Sequence, residues 1–110
     1  MSAFNVVTVP ADEKCPNCGN KIRRRVQFKY GARRAFEYEV GDTLRWGVND
    51  EGVPAHLVRV MGYPELCSAC GDEPEWLYDI AIRDNVIESV TQSSSDLWAG
   101  VNEAYLIVEP

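Results

Sequence analysis

At 110 residues the chain has room for one ordinary domain and not for two well-cored ones. Its 45% apolar and 25% charged residues are those of a folding chain, which excludes a disordered or fibrous one. A formal net charge of −6 disfavours sequence-independent binding to nucleic acid, because a phosphate backbone repels an acidic surface.

The opening stretch has no basic start, no apolar core of useful length and no small-residue cleavage site, so it does not read as a secretion signal. No later stretch approaches the roughly 20 apolar residues of a membrane span. The expected location is the cytoplasm, where paired thiols bind metal or do redox chemistry more often than they form structural disulfides.

In chain order, residues 4–9 read as a first strand. Cys15-Pro16-Asn17-Cys18-Gly19 follows as a tight knuckle. Ile22, Val26, Phe28 and Tyr30 then alternate with Arg23, Arg25, Gln27 and Lys29, as a strand with one buried face requires, and Arg24 breaks the pattern. Phe36, Tyr38 and Val40 alternate with Glu37 and Glu39, and Gly31 lies between the two runs, so they are predicted to form a hairpin. In that hairpin Tyr30 opposes Phe36, Lys29 opposes Glu37 and Gln27 opposes Glu39.

Gly41-Asp42 marks a corner, and Asn49-Asp50-Glu51-Gly52 with Pro54 marks a turn, which predicts a second hairpin from residues 43–46 and 56–61. Cys67-Ser68-Ala69-Cys70-Gly71 repeats the knuckle. Trp76, Tyr78, Ile80 and Ile82 alternate with Asp79, Ala81 and Arg83 before Asp84-Asn85 turns the chain into residues 86–91, a third hairpin. The polar stretch 92–96 can cap a short helix carrying Leu97, Trp98 and Val101, and residues 104–108 read as a last strand. The aromatic residues Phe28, Tyr30, Phe36, Tyr38, Trp46, Trp76 and Trp98 are expected mainly in the core of so small a chain.

The four cysteines carry the chemistry. In Cys-x-x-Cys-Gly the two intervening residues close a turn that aims both sulfurs at one point, and the glycine permits the backbone that turns amides toward them. Two such turns supply a complete tetrahedron, so Cys15, Cys18, Cys67 and Cys70 are the predicted ligands of one metal ion. Zn²⁺ suits four thiolates because it has no ligand-field preference, and a site filled by protein has no position left for water or substrate. Iron in the same tetrathiolate, a thiol switch that releases zinc on oxidation, and a pair of disulfides are the competing uses.

These paired knuckles resemble those of the zinc-ribbon and rubredoxin-like families, in which two such turns face each other and are followed by hairpins. The resemblance rests on residues 15–19 and 67–71 and the strands after them, and implies metal ligation by Cys15, Cys18, Cys67 and Cys70. Rubredoxins place their knuckles closer and surround them with aromatic residues, which Asn17, Ser68 and Ala69 do not reproduce. The expected fold is mostly β: zinc-ribbon-like knuckles, about three β-hairpins and at most one short helix, in a single domain over residues 1–110. Residues 20–66 would be a folded β insert between the knuckles. Closing so long a loop costs about 3 to 4 kcal/mol, which the roughly 10 to 16 kcal/mol of structural zinc exceeds.

No other constellation points to catalysis. His56 is the only histidine and lies far from any serine or cysteine pattern, and neither a phosphate-binding glycine loop nor a paired-carboxylate motif occurs, so the chain is not expected to be an enzyme. The acidic composition favours a protein-interaction module with a basic partner, as the inhibitor or immunity protein of a nuclease or toxin. A nucleic-acid-associated ribbon using Lys21, Arg23, Arg25, Lys29, Arg33 and Arg34 is the first alternative, and a rubredoxin-like iron electron carrier the second.

Overall fold

The structure, a computed structural model, describes residues 4–47, 49–74, 76–93 and 105–110. Its strands are β1 (Asn5–Thr8), β2 (Glu13–Lys14), β3 (Lys21–Ile22), β4 (Arg25–Phe28), β5 (Glu37–Glu39), β6 (Leu57–Pro64), β7 (Leu77–Arg83), β8 (Val86–Ser93) and β9 (Tyr105–Glu109). No helix occurs among the described residues, which are essentially all β in their regular structure, as the alternating patterns require. The short helix expected near Leu97, with Trp98, lies outside the described residues.

One large sheet runs β5-β1-β4-β6-β7-β8, with β9 on β6, and a separate two-stranded ribbon joins β2 to β3. The strand β6 organises the large sheet. One edge pairs with β7 from Leu57↔Arg83 to Gly62↔Tyr78, and the other takes β9 at residues 57–60 and β4 at Tyr63 and Pro64. The side chains that alternate inward from these strands, Val26, Phe28, Val58, Val60, Tyr78, Ile80, Ile82 and Ile87, are nearly or fully buried. Each such side chain contributes about 1.5 to 3 kcal/mol of burial free energy. The aromatic residues behave as the composition leads one to expect. Tyr30 packs edge-on against Trp46 at 5.3 Å, and Phe36, Trp76 and Tyr105 close the rim of the same cluster.

The third predicted hairpin forms as read. Asp84 and Asn85 both adopt left-handed backbone, with φ of 49° and 65°, which is the two-residue turn whose twist matches paired strands. The other two predicted hairpins do not form. The strand β1 lies between β4 and β5, antiparallel to the first (Val7↔Val26) and parallel to the second (Val7↔Tyr38). Asn5 explains the preference. Its buried amide donates to the carbonyls of Tyr30 (3.2 Å) and Ala32 (2.7 Å) and accepts from the Phe36 N–H (3.3 Å). A hairpin would satisfy those backbone groups internally, whereas here an amide side chain from a third strand satisfies them and opens the loop. The expected Lys29–Glu37 and Gln27–Glu39 oppositions are replaced accordingly. Arg25 reaches over β1 to Glu37 at 2.7 Å, Gln27 donates to Glu65, and Lys29 sits 4.7 Å from the Phe4 ring.

Residues 43–46 likewise do not pair with β6. They brace the β7–β8 turn instead, where the Leu44 N–H donates to the Asn85 carbonyl and the Trp46 indole N–H donates to the Asn85 side chain at 3.0 Å. The position they were expected to fill beside β6 is taken by β7, a longer partner that buries three large side chains. Residues 4–9 and the end of the chain form strands where expected, but β1 is interior to the sheet, and Asn5, Val6 and Val7 are all buried.

Candidate metal centre

Each knuckle grows from a strand end. The first closes the β2–β3 ribbon, whose register is Glu13↔Ile22 and Lys14↔Lys21. The second lies in the connection from β6 to β7. Their backbones are copies of one another. Gly19 N–H donates to the Cys15 carbonyl (2.9 Å) and Cys15 N–H to the Asn20 carbonyl (2.9 Å). Gly71 N–H donates to the Cys67 carbonyl (2.8 Å) and Cys67 N–H to the Asp72 carbonyl (2.9 Å). Gly19 and Gly71 have φ of 74° and 77°, the left-handed region in which a side chain is strained, and this is why each motif carries glycine after its second cysteine.

The four sulfurs of Cys15, Cys18, Cys67 and Cys70 converge, all within 4.8 Å of one another. Two pairs, Cys15–Cys70 and Cys18–Cys67, are each 3.8 Å apart and each join one knuckle to the other. A tetrahedron of sulfurs bonded to zinc at about 2.3 Å has edges of roughly 3.8 Å, so the spacing fits a tetrathiolate. All four cysteines are free, and the pairs are far longer than the roughly 2.05 Å of a disulfide. Cys15 and Cys67 are buried while Cys70 is exposed, so the cluster opens to solvent on the side of the second cysteines.

The surroundings act in opposite directions on Cys67 and Cys18. The Cys70 and Ala69 backbone amides hold the Cys67 thiol down to about 6. At Cys18 the Asn20 amide acts in the same direction, but burial and the three neighbouring sulfurs outweigh it and push that thiol up to about 11. Four sulfurs this close cannot all lose their protons without a cation among them. Asn17 crosses from the first knuckle to donate to the Cys70 sulfur (3.4 Å), and Asn20 donates to the Cys18 sulfur (3.6 Å). Both of the less buried sulfurs therefore receive a side-chain amide from the first knuckle.

Metal uptake must displace the Cys18 proton at any pH below about 11, whereas Cys67 is already a thiolate above about 6. Affinity should therefore fall by at least about tenfold per pH unit on acidification from pH 9, and more steeply below about pH 6, where Cys67 also takes up a proton. Competition against a chelator of known affinity across that range checks the slope, and a pH-independent affinity would contradict it.

The other predicted site residues are dispersed in their contacts. Arg23 pairs with Asp12 (3.2 Å) and Arg25 with Glu37 and Glu65 (2.7 and 3.0 Å). Arg33 donates to the Asn49 carbonyl at 3.0 Å, while Lys21 and Arg34 are exposed. His56 is exposed and its Nδ1 lies 2.7 Å from Asp84, at an open cleft of about 330 Å³ whose lining contains no serine or cysteine. Asn20 and Glu13 escaped the sequence reading because single polar residues beside a knuckle carry no periodic signal. Arg24 did leave one, as the lone charge out of step in an alternating strand.

The chain matches no protein-family model, no curated protein and no solved structure.

Proposed function

We propose that Cys15, Cys18, Cys67 and Cys70 hold one structural Zn²⁺ and that the loaded chain is a protein-interaction module for a basic partner. The observation that carries the metal is the sulfur spacing of 3.8 Å across the knuckles, equal to the edge of a zinc tetrathiolate. Zinc bound there supplies a cross-link between two distant parts of the chain and no reactive position, because protein fills all four. The role is therefore structural and not catalytic.

The interaction reading is supported by what surrounds the site. Tyr63 and Leu66, at 46% and 59% exposure, present apolar surface to solvent on the segment that leads into the second knuckle. Exposed acids such as Glu39 and Glu73, together with the net charge of −6, suit a cationic partner, whose approach they would accelerate. The basic run gives less support to nucleic acid, since Arg23 and Arg25 already face carboxylates.

The test uses purified protein. Elemental analysis should find one zinc per chain and a solution without the visible absorption of iron thiolates. Iron in its place would turn the reading toward an electron carrier. Capture from the source cell by the loaded protein should retain a basic protein, released by salt, whereas recovery of RNA or DNA would overturn the partner assignment.

A further inference from the structure

The two knuckles share more than their turns. Glu13 stands two residues before Cys15, and Glu65 stands two residues before Cys67, so they occupy equivalent positions on the incoming segments. Arg24 joins them. It lies between β3 and β4 and is only 2% exposed. Its Nη1 donates to the Glu65 carbonyl (3.0 Å), its Nε lies 3.5 Å from a Glu13 carboxylate oxygen, and its guanidinium stands 5.9 Å from the ring of Trp76, on the segment leaving the second knuckle. The same Glu13 oxygen accepts from the Tyr78 hydroxyl (2.6 Å), which ties the clamp to the main sheet.

A buried guanidinium is a costly way to fill space. Desolvation of such a pair commonly cancels its Coulomb attraction, and replacing both partners by apolar side chains of similar volume is often neutral or stabilising. The attested use of a buried charge is to fix register, and here the charge touches the same position in both halves of a divided site. Apolar contact at the knuckles is slight, a cluster of Cys15, Ile22 and Cys67 with Cys18 packed against it, so burial alone does little to set the distance between the turns.

We propose that Arg24 is a positioning residue for the metal centre, a bridge between the incoming segments of the two knuckles that holds the four sulfurs at tetrahedral spacing before metal enters. This rests on the metal reading above. Its consequence is that Arg24 governs affinity for metal beyond what it contributes to folding, because its contacts set where the two knuckles stand.

The experiment measures zinc affinity by competition with a chromophoric chelator, beside the melting temperature of the metal-free protein, for wild type, Arg24→Met, Arg24→Lys and Glu13→Gln. Arg24→Met should lose about tenfold or more in affinity, the scale seen for groups that orient metal ligands, beyond the fall in metal-free melting that follows from leaving Glu13 without its cation. Arg24→Lys should recover only part of the loss, since one ammonium cannot donate to the Glu65 carbonyl and at the same time spread its charge over a plane that stands beside Glu13. Glu13→Gln, which keeps an acceptor for Tyr78, should lose several-fold, and decides the matter if Arg24→Met does not fold. Unchanged affinity in Arg24→Met and Glu13→Gln, or an affinity loss matched by an equal fall in metal-free stability, would overturn the proposal. A wild-type chain that takes up no zinc in the same assay would instead defeat the metal reading itself.

Discussion

Chelation of the metal should lower the melting temperature by more than about 15 °C and open the knuckle end of the molecule before the sheet. The magnitude follows from comparing two free energies. Structural zinc supplies roughly 10 to 16 kcal/mol of apparent binding free energy, whereas a domain of this size has a net stability of only about 5 to 15 kcal/mol. Near the midpoint each kcal/mol moves melting by several degrees. Locality follows from the packing. The main core, from Val7 to Val90, is built mainly from strands of the large sheet, while the knuckles rest on the small separate cluster and on a ribbon of two residues per strand. Hydrogen exchange should therefore show Cys15, Gly19, Cys67 and Gly71 amides losing protection first on chelation. Unchanged melting in a chain whose four thiols all titrate as free would contradict a structural site.

The second large effect is expected at Gly31. Gly31→Ala should cost about 3 kcal/mol, combining left-handed backbone strain with overpacking. Gly31 has φ of 75°, and its N–H and carbonyl exchange hydrogen bonds with Glu51, both at 2.9 Å, so it cannot relax by rotating away. A methyl group there would come within 2.7 Å of Leu44 Cδ2 and 2.9 Å of the Arg45 carbonyl. Gly41→Ala is the control, because φ is 99° but nothing lies within 4 Å of the added carbon. It should cost only about 1 kcal/mol. Equal losses in urea denaturation would show that backbone strain, and not the close approach at Gly31, dominates.

Gly31 also illustrates what the sequence could and could not convey. A glycine between two alternating runs reads as a hairpin turn, and the alternation of Val26 and Phe28, and of Tyr38 between Glu37 and Glu39, did report which side chains are buried. Alternation has a period but no address. It cannot say that β1 would enter between these runs, because that outcome depends on one buried amide, Asn5, meeting three backbone groups far along the chain. The β7–β8 hairpin was legible because Asp84-Asn85 encodes its own turn geometry within two residues.

The centre follows the same division. Cys-x-x-Cys-Gly fixes local backbone, so convergence of sulfurs within each knuckle was legible, and the equality of the two motifs suggested one shared site. The groups that orient it were not. Asn17 reaches the opposite knuckle, and Arg24 joins segments that are distant in sequence, so neither contact belongs to a local pattern. Arg24 was visible only as an exception, a charge out of step with the alternation on either side of it. Buried exceptions of this kind are expected where a fold holds something besides itself together.

X-ray absorption at the zinc edge of the purified protein reads the ligand set itself. Four sulfur neighbours at about 2.3 Å, with no nitrogen or oxygen in the first shell, are the predicted result. A first shell containing oxygen or nitrogen, or a protein without metal whose cysteines are joined as disulfides, would contradict it.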